Sequence, residues 1–260
     1  MRTHFFASPV GFLVRQLYKL LVVLPYQVLL RLYESLFRPR RALRALTPYC
    51  FIISSVIYAL PDKKVSHGGI RSTFNPEERA RQTAQTIASI RRFAPEATIV
   101  LIEGGRQTAL PHNLEKLADQ YVYAGASRWV RLACDSTTKS LGEVAILLYG
   151  MSRLRWQADY YFKISGRYQL TPHFKTQDWK DGALTFYSLR ADFLSTRLYG
   201  IPGALFYRWR HALLAGLPLN LIDYAVENTL LKTIPSRLRR TLARVGVTGV
   251  SASTNEVIEE

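Results

Sequence analysis

The feature of this sequence that most constrains its fold is an alternation of short apolar runs with helical segments, starting after residue 49. Residues 50–58 (CFIISSVIY) are β-branched and apolar over the length of one strand, as in a buried parallel strand. Residues 75–78 (NPEE) have the order of a helix start, with an N-cap, a proline at the first position and acids in the first turn. They predict a helix to residue 93, and residues 97–103 (ATIVLIE) predict the second strand.

The same alternation continues through the rest of the chain. It predicts an α/β fold with a mostly parallel sheet flanked by helices on both faces. In such sheets a ligand lies beyond the carboxyl ends of the strands, which selects the residues to weigh for function. The further predicted elements are a short helix at 113–118, a strand at 120–123, a loop at 124–138, a helix at 140–153, strands at 159–164, 183–189 and 196–200, a helix at 219–233 and a strand at 245–251.

Residues 1–48 differ from the rest of the chain and are predicted to form a region of their own, followed by one domain over residues 49–260. Eight of these residues are Arg or Lys, and one, Glu34, is acidic. The uncharged run at residues 20–30 is shorter than the roughly 20 residues that a membrane-spanning helix needs. The region is therefore not predicted to cross a membrane by itself.

Helical phase accounts for this region better than a membrane span does. Leucines at positions 13, 17, 20 and 24 share one face, and Arg15 and Lys19 lie opposite. Pro25 interrupts the pattern, so the sequence predicts an amphipathic helical hairpin with a kink there. Such a segment, followed by the basic run at 38–41, fits an anionic membrane surface and predicts a cytoplasmic protein attached peripherally through residues 9–37. A hairpin packed on its own domain and a re-entrant hairpin are the alternatives.

Composition limits the partners and excludes several classes of enzyme. The 260 residues carry a formal net charge of +16, which favours anionic partners: nucleic acid, acidic lipid or phosphorylated small molecules. Two cysteines are too few for a disulfide framework or a four-cysteine zinc site. Dinucleotide-type Rossmann enzymes, P-loop ATPases, zinc proteases and typical serine hydrolases are disfavoured, because Gly-x-Gly-x-x-Gly, Gly-Lys-Ser/Thr, His-Glu-x-x-His and Gly-x-Ser-x-Gly are all absent.

A first candidate anion site follows the first predicted strand. Arg71 and Ser72 precede the helix that starts near residue 76, and Arg79 lies in its first turn. Flexible backbone, an arginine and a helix N-terminus together can bind a phosphate. An ordinary polar loop has the same composition and is the alternative.

A second candidate site lies at the carboxyl end of the strand at 159–164. Lys163 is part of that apolar strand, and Ser165, Gly166 and Arg167 follow it. An apolar strand seldom carries a lysine unless the lysine is paired or used. Two cations here could neutralise a diphosphate, whereas a surface turn with solvated charges is the alternative.

Four acids are candidates for proton transfer or ligand contact. Asp223 and Glu227 are one turn apart on a predicted helix and would share a face, so one of them could be a general base. A solvated helix face with salt-bridged acids is the alternative. Glu143, inside an apolar helix, is either a buried paired acid or a ligand contact, and Glu103 at the end of the second strand is ambiguous in the same way.

Three segments, taken in order, carry a resemblance to a known family. They are Arg71-Ser72-x-Phe74-x-Pro76-Glu77-Glu78-Arg79 with the helix that follows, Ile99-Val100-Leu101-Ile102-Glu103, and Phe162-Lys163-Ile164-Ser165-Gly166-Arg167-Tyr168. Together they resemble bacterial and viral GT-A-like glycosyltransferases of polysaccharide gene clusters, over residues 50–250. The Lys-Ile-Ser-Gly-Arg-Tyr segment is the most specific part of the resemblance.

The resemblance implies a nucleotide-sugar-dependent transferase on a GT-A or Rossmann-like sheet, with a glycan or lipid-linked acceptor. Typical members hold Mn²⁺ or Mg²⁺ with an Asp-x-Asp at the end of the fourth strand, and this chain has no Asp-x-Asp. Ser165, Gly166 and Arg167 fall at about that place. The departure implies that Lys163 and Arg167 stabilise the leaving diphosphate with no metal or other cofactor, or else that activity is lost.

In an inverting mechanism, the resemblance implies that Glu227 or Asp223 removes the proton of the acceptor hydroxyl. A non-catalytic protein that binds polyanions or membranes, such as a degenerate transferase, is the main alternative function. A nucleic-acid-binding module ranks last, because the aromatic residues occur mostly within apolar strands and helices. The donor site is expected to include Arg71, Ser72, Arg79, Glu143, Lys163, Ser165, Gly166 and Arg167.

Overall fold

The computed structural model describes residues 9–36, 46–60, 65, 72–179, 181–190, 193–251 and 256–260. The basic run at 38–41, the loop at 66–70 and Arg71 lie outside these residues. Within them, strands form two sheets and helices cover both faces of the larger sheet.

The larger sheet is mixed but mostly parallel, which confirms the fold class expected from the sequence. Its strands are β1 (Leu46–Ser55), β2 (Thr98–Glu103), β3 (Gln120–Tyr123), β4 (Gln157–Ser165), β6 (Leu184–Arg190), β7 (Phe193–Pro202) and β8 (Arg239–Leu242). Their order is β3-β2-β1-β4-β7-β6-β8. Strands β1 to β4 run parallel, whereas β7 is antiparallel to both β4 and β6. A smaller antiparallel sheet contains β5 (Tyr168–Leu170), β9 (Val247–Val250) and β10 (Val257–Glu259).

Helices lie on both faces of the sheet because its central strands are apolar on both faces. Cys50 and Ile52 of β1 belong to one buried cluster, and Phe51 and Ile53 belong to another, as the period of two requires. The helices are α1 (Pro9–Tyr18), α2 (Leu24–Leu36), α3 (Pro76–Phe93), α4 (Arg128–Cys134), α5 (Lys139–Met151), α6 (Phe206–Leu221) and α7 (Val226–Thr233). Helix α3 contributes to the cluster of Phe51, and α5, α6 and α7 contribute to the cluster of Cys50.

Helix α3 begins as the sequence predicts. The Asn75 side chain accepts a hydrogen bond from the backbone N–H of Glu78 at 2.8 Å, and Pro76 occupies the first position. The inward side chains include Ala80, Ile87 and Ile90, which are buried against the sheet. This helix ends at Phe93, as predicted.

The predicted helix at 219–233 is wrong, and so is the shared face of its two acids. Helix α6 ends at Leu221 and α7 starts at Val226, so the two acids lie on different elements. Asp223 sits between them with a φ of 71°, which interrupts the helix. The Asn220 side chain is buried and donates to the backbone oxygen of Tyr224 at 2.9 Å, and this bond fixes the turn.

The predicted N-terminal hairpin is also wrong, because residues 9–36 form one continuous helical run. Helices α1 and α2 are joined by a π-helical turn, Lys19–Val23, rather than by a loop. Pro25 lies directly after that turn, at the second residue of α2. The stretch Val10–Leu30 is long and apolar enough to cross a membrane by length and composition, which the run at 20–30 alone was not.

The N-terminal helix is docked on α6 with its polar side chains inward. The Tyr18 hydroxyl donates to the backbone oxygen of Pro218 at 3.1 Å, and the Gln27 amide donates to that of Ala215 at 3.2 Å. Gln16 is the single exposed polar residue over positions 10–29. The outward face is defined by the exposed apolar side chains Val10, Phe12, Leu13, Val14, Leu17, Leu20, Leu21, Val22, Leu24, Val28, Leu29 and Leu32.

Candidate functional site

A cavity of about 390 Å³ opens at the carboxyl ends of β1 and β4. Ser54 and Ser165 are register partners in these two parallel strands and line it together. Helices α3, α5 and α7 each contribute residues near their N-terminal ends to the wall. The cavity lies where ligands bind in open α/β sheets.

The cavity brings together most of the residues that the sequence singled out. Ser72 is not among the described residues that line it; its hydroxyl accepts from the Phe74 N–H in a local turn. Asp223 is also absent from the wall, and Arg71 lies outside the described residues. The expected residues that line the cavity are Arg79, Glu143, Ser165, Gly166, Arg167 and Glu227.

Lys163 lies beneath the cavity rather than in its wall. Its side chain is fully buried, and its ammonium group donates to Glu143, to the Ser165 hydroxyl at 2.8 Å and to the backbone oxygen of Thr196 at 2.8 Å. These three acceptors match the three N–H donors of a lysine. Lys163 therefore has no N–H group left to bind a diphosphate directly. Its role in this arrangement is to position Glu143 and Ser165.

Glu227 is the acid that borders the cavity from α7. The Thr196 hydroxyl donates to its Oε1 at 2.7 Å. Burial raises the pKa of Glu227 above its usual range, the negative charge of Glu143 adds to this, and the Thr196 hydroxyl and Lys163 oppose it. A carboxyl group with a raised pKa that faces a cavity is a stronger proton acceptor than an ordinary carboxylate.

Arg167 brings an uncompensated positive charge to the wall of the cavity. Within the described residues it has no carboxylate partner, and its Nε, although buried, has no hydrogen-bond partner. The turn that carries it is fixed by Gly166, whose backbone oxygen accepts from Thr83 at 2.9 Å. A Cβ at Gly166 would come within 2.9 Å of the Thr83 hydroxyl, so a larger residue would displace this turn. The guanidinium is suited to binding an anion in the cavity.

Arg197 is a cavity residue that the sequence analysis missed. It pairs with the buried carboxylate of Glu260, and its Nε donates to the Tyr168 hydroxyl at 3.3 Å. Ser195 donates to the other oxygen of Glu260 at 2.7 Å. No local signal marks Arg197, because its partner is 63 residues away along the chain. Lys139, at the start of α5, is a second missed cation of the wall.

Glu103 connects the loops that follow β1 and β2. Its Oε1 accepts the backbone N–H of Ile57 at 2.8 Å and that of Gly105 at 2.7 Å. Burial raises the pKa of Glu103, and these N–H groups, the Ser55 hydroxyl and the charge of Arg79 oppose the rise. The sequence left Glu103 ambiguous, and its contacts are those of a structural acid.

The donor set of the cavity does not suit the divalent metal that typical GT-A-like transferases use. Arg167 lies in the wall, where its positive charge would repel a cation. Of the two acids that line the wall among the described residues, Glu143 is paired with Lys163, which leaves Glu227 as a single carboxylate open to the cavity. No cluster of three or more His, Cys, Asp or Glu side chains occurs among the described residues.

No protein-family model matches the chain, and no curated protein matches it. Solved structures do resemble it in part. One is described as a nucleotide-diphospho-sugar transferase from Desulfovibrio desulfuricans G20, with 10% identity, a TM-score of 0.45 and coverage of 75% of this chain and 80% of that one. Another is the galactosyltransferase LgtC in complex with donor and acceptor sugar analogues, with 11% identity, a TM-score of 0.42 and coverage of 74% and 72%.

A third similar structure is a 4-diphosphocytidyl-2C-methyl-D-erythritol synthase from Anaerococcus prevotii. It has 11% identity and a TM-score of 0.39, and the match covers 75% of this chain and 86% of that one. At these identities and TM-scores, the similarities establish neither a family nor an activity for the chain.

Proposed function

We propose that this protein is a glycosyltransferase that moves a sugar from a nucleotide-diphospho-sugar to a lipid-linked or surface-polysaccharide acceptor at a membrane surface. The observation that carries the proposal is the pairing, in one cavity at the carboxyl edge of the sheet, of the uncompensated Arg167 guanidinium with the half-buried carboxyl of Glu227. The guanidinium suits the donor diphosphate, and the carboxyl suits the acceptor hydroxyl.

Stabilisation of the leaving group is assigned to the cations of the wall. Arg79, Lys139, Arg167 and Arg197 all line the cavity, and Arg197 is partly neutralised by Glu260. A nucleoside diphosphate gains negative charge as its bond to the sugar breaks, and fixed cations stabilise that charge without a metal ion. Metal independence is part of the proposal.

Proton removal is assigned to Glu227. The acceptor oxygen forms a bond to the anomeric carbon, its proton passes to the Glu227 carboxylate, and the bond from that carbon to the diphosphate oxygen breaks with both electrons leaving on the diphosphate. The charge of Glu143, which is paired with Lys163, contributes to the raised pKa of Glu227. A base whose pKa is closer to neutral accepts a proton more effectively than an ordinary carboxylate.

The membrane part of the proposal is supported by the outward face of the N-terminal helix. An ordinary surface helix turns its apolar stripe to the core, whereas this one turns it away from the protein. Attachment there would bring a cytoplasmic enzyme to an acceptor held at the bilayer. Deleting residues 1–45 is expected to release the protein from liposomes and to leave the domain folded, as measured by flotation and circular dichroism. Undiminished flotation of the truncated protein would refute this mode of attachment.

A nucleotide screen by thermal shift tests the proposed activity. The protein is mixed with UDP, GDP, CMP, dTDP and their sugars, each with Mn²⁺ and with EDTA. A nucleotide-selective rise in Tm that survives EDTA and disappears in Arg167→Ala is expected. A rise that requires Mn²⁺ would contradict metal independence. No rise with any nucleotide, together with liposome binding, would favour a non-catalytic membrane-binding protein.

A further inference from the structure

Three cations converge on one tyrosine at the junction of the N-terminal helix and the domain. The Lys232 Nζ lies 4.5 Å from the centre of the Tyr224 ring, the Lys19 Nζ 5.4 Å and the Arg15 Cζ 6.0 Å. We call these four residues the Tyr224 cluster. It joins α1, the π-helical turn, the loop before α7 and the last turn of α7.

The cluster carries a net positive field. Although partial burial acts to raise it, the pKa of Tyr224 is lowered, because Lys19 donates a hydrogen bond and Lys19, Lys232 and Arg15 supply positive charge. Within the described residues, neither Lys19 nor Lys232 forms an ion pair with a carboxylate. Two lysine ammonium groups are thus available to an anion at this place.

The Tyr224 cluster and the outward face are arranged like the headgroup layer and the hydrocarbon layer of a membrane surface. The helix contacts the domain at both Tyr18 and Gln27, nine residues apart, so it lies along the protein over about 14 Å. A helix that crossed the bilayer would lose these contacts and take Arg15 and Lys19 into hydrocarbon. A helix lying in the plane of the membrane keeps them. Its apolar side chains then enter the leaflet and its cations lie at the depth of the headgroups.

We propose that the Tyr224 cluster binds the phosphate of an anionic phospholipid while the outward face lies in the same leaflet. The occupant is a bilayer lipid because Arg15 and Lys19 belong to the same helix as the outward face, with Lys232 of α7 beside them, so that cations and apolar face would meet the two parts of one lipid molecule. The inference rests on the proposed membrane attachment and not on the proposed sugar transfer. It also connects the membrane to the loop that leads into α7, three residues before Glu227.

Vesicle binding by the full-length protein tests the inference. Sedimentation is measured with phosphatidylcholine vesicles and with vesicles that also contain phosphatidylglycerol, for wild type and for the double variant Lys19→Gln/Lys232→Gln. The control is Lys116→Gln/Lys175→Gln, which removes the same charge at a different place. These two lysines are exposed and lie close in sequence to Leu114 and Phe174, members of the buried cluster that contains Phe51. Thermal unfolding of each protein checks that the fold is unchanged.

The double variant in the cluster is expected to lose about tenfold or more in partition to the anionic vesicles, since each such charge is worth about fivefold. Its binding to phosphatidylcholine alone should stay within about twofold of wild type, and the control should stay within about twofold on both. Equal losses in the two double variants would overturn the inference, since they would reflect net charge alone.

A third variant separates this inference from the attachment itself. Leu21→Asp places a charge on the outward face, at a side chain that is 68% exposed, and is expected to weaken binding to both kinds of vesicle. If Leu21→Asp abolishes binding while wild type binds both vesicles equally, the attachment stands and the phosphate site is refuted. If wild type binds neither vesicle, both are refuted.

Discussion

Two carboxyl groups near the carboxyl edge of the sheet, one fully buried and one half-buried, are held in different ways. Glu103, at the end of β2, accepts two backbone N–H groups from two different loops. Glu227, in the first turn of α7, accepts one side-chain hydroxyl and borders the cavity. Burial raises the pKa of both, so the direction of the shift does not distinguish them. Their hydrogen-bond partners distinguish them. Glu103 binds backbone N–H groups, as a structural acid does, whereas Glu227 faces the cavity and keeps lone pairs for a substrate.

The largest expected effect is on catalysis at Glu227. Glu227→Gln keeps an acceptor for the Thr196 hydroxyl but cannot take a proton. The transfer rate should fall by about 10²–10⁴-fold while donor affinity changes little. Steady-state rates with the donor found by the nucleotide screen, and donor binding by calorimetry, measure this. An unchanged rate would assign the proton transfer to another group.

Glu227→Gln is expected to raise the Tm although it lowers the transfer rate, and the change in Tm should depend on pH. A raised pKa means that the ionised carboxylate is destabilising in the folded state at neutral pH. Glu227→Gln should therefore unfold at a higher Tm than wild type at pH 8. The difference should shrink as the pH falls toward the ordinary value of 4.5, where wild type is protonated. A lower Tm for the variant at pH 8 would show that the ionised carboxylate of Glu227 stabilises the folded state.

Replacement of Glu103 should affect stability first. Glu103→Ala leaves the buried N–H groups of Ile57 and Gly105 without an acceptor and should cost about 2–4 kcal/mol in the free energy of unfolding. Glu103→Gln is the matched control, because its amide oxygen can still accept both bonds. Urea unfolding compares the two. Equal stability of the alanine variant and wild type would remove the distinction between the two acids.

A smaller effect is expected from two arginines that line the cavity, Arg167 and Arg79. Arg167→Ala should weaken donor binding by about 10–100-fold with little change in Tm, since Arg167 has no carboxylate partner among the described residues. Arg79→Ala should lower Tm as well, because Arg79 is nearly buried and its charge favours the ionised form of Glu103. Calorimetry and thermal unfolding of both variants test this contrast. An unfolded Arg167→Ala protein would make Arg167 structural.

The sequence predicts the central strands well and the break between α6 and α7 poorly. Strands β1 to β4 are apolar runs whose local composition suffices, and α3 carries its own start signal in residues 75–78. The break between α6 and α7 depends on Asn220, a buried side chain that bonds the backbone of Tyr224. That contact cannot be recognised from the local sequence, so the sequence predicts a continuous helix through Asp223.

Sheet topology predicts the position of those candidate-site residues that directly follow a strand. Ser165, Gly166 and Arg167 come directly after β4, and their place in the cavity follows from the topology of parallel sheets. Arg197 lies inside the antiparallel strand β7 and is held by Glu260, and neither fact is local. The outward direction of the N-terminal leucines also could not be deduced, since phase defines a face but not what it meets.

The π-helical turn at Lys19–Val23 changes the angular position, around the helix axis, of every residue that follows it. Gly11, Arg15, Lys19, Val23 and Gln27 recur every fourth residue and are all at least half-buried. In an α-helix of 3.6 residues per turn, such a series drifts by about 40° per turn and would leave the domain before Gln27. The wider π-helical turn offsets part of that drift. The two halves of the helix therefore turn the same face toward α6. The segment should therefore tolerate exchanges among apolar residues but not the loss of a single residue, which would rotate everything after it by about 100°.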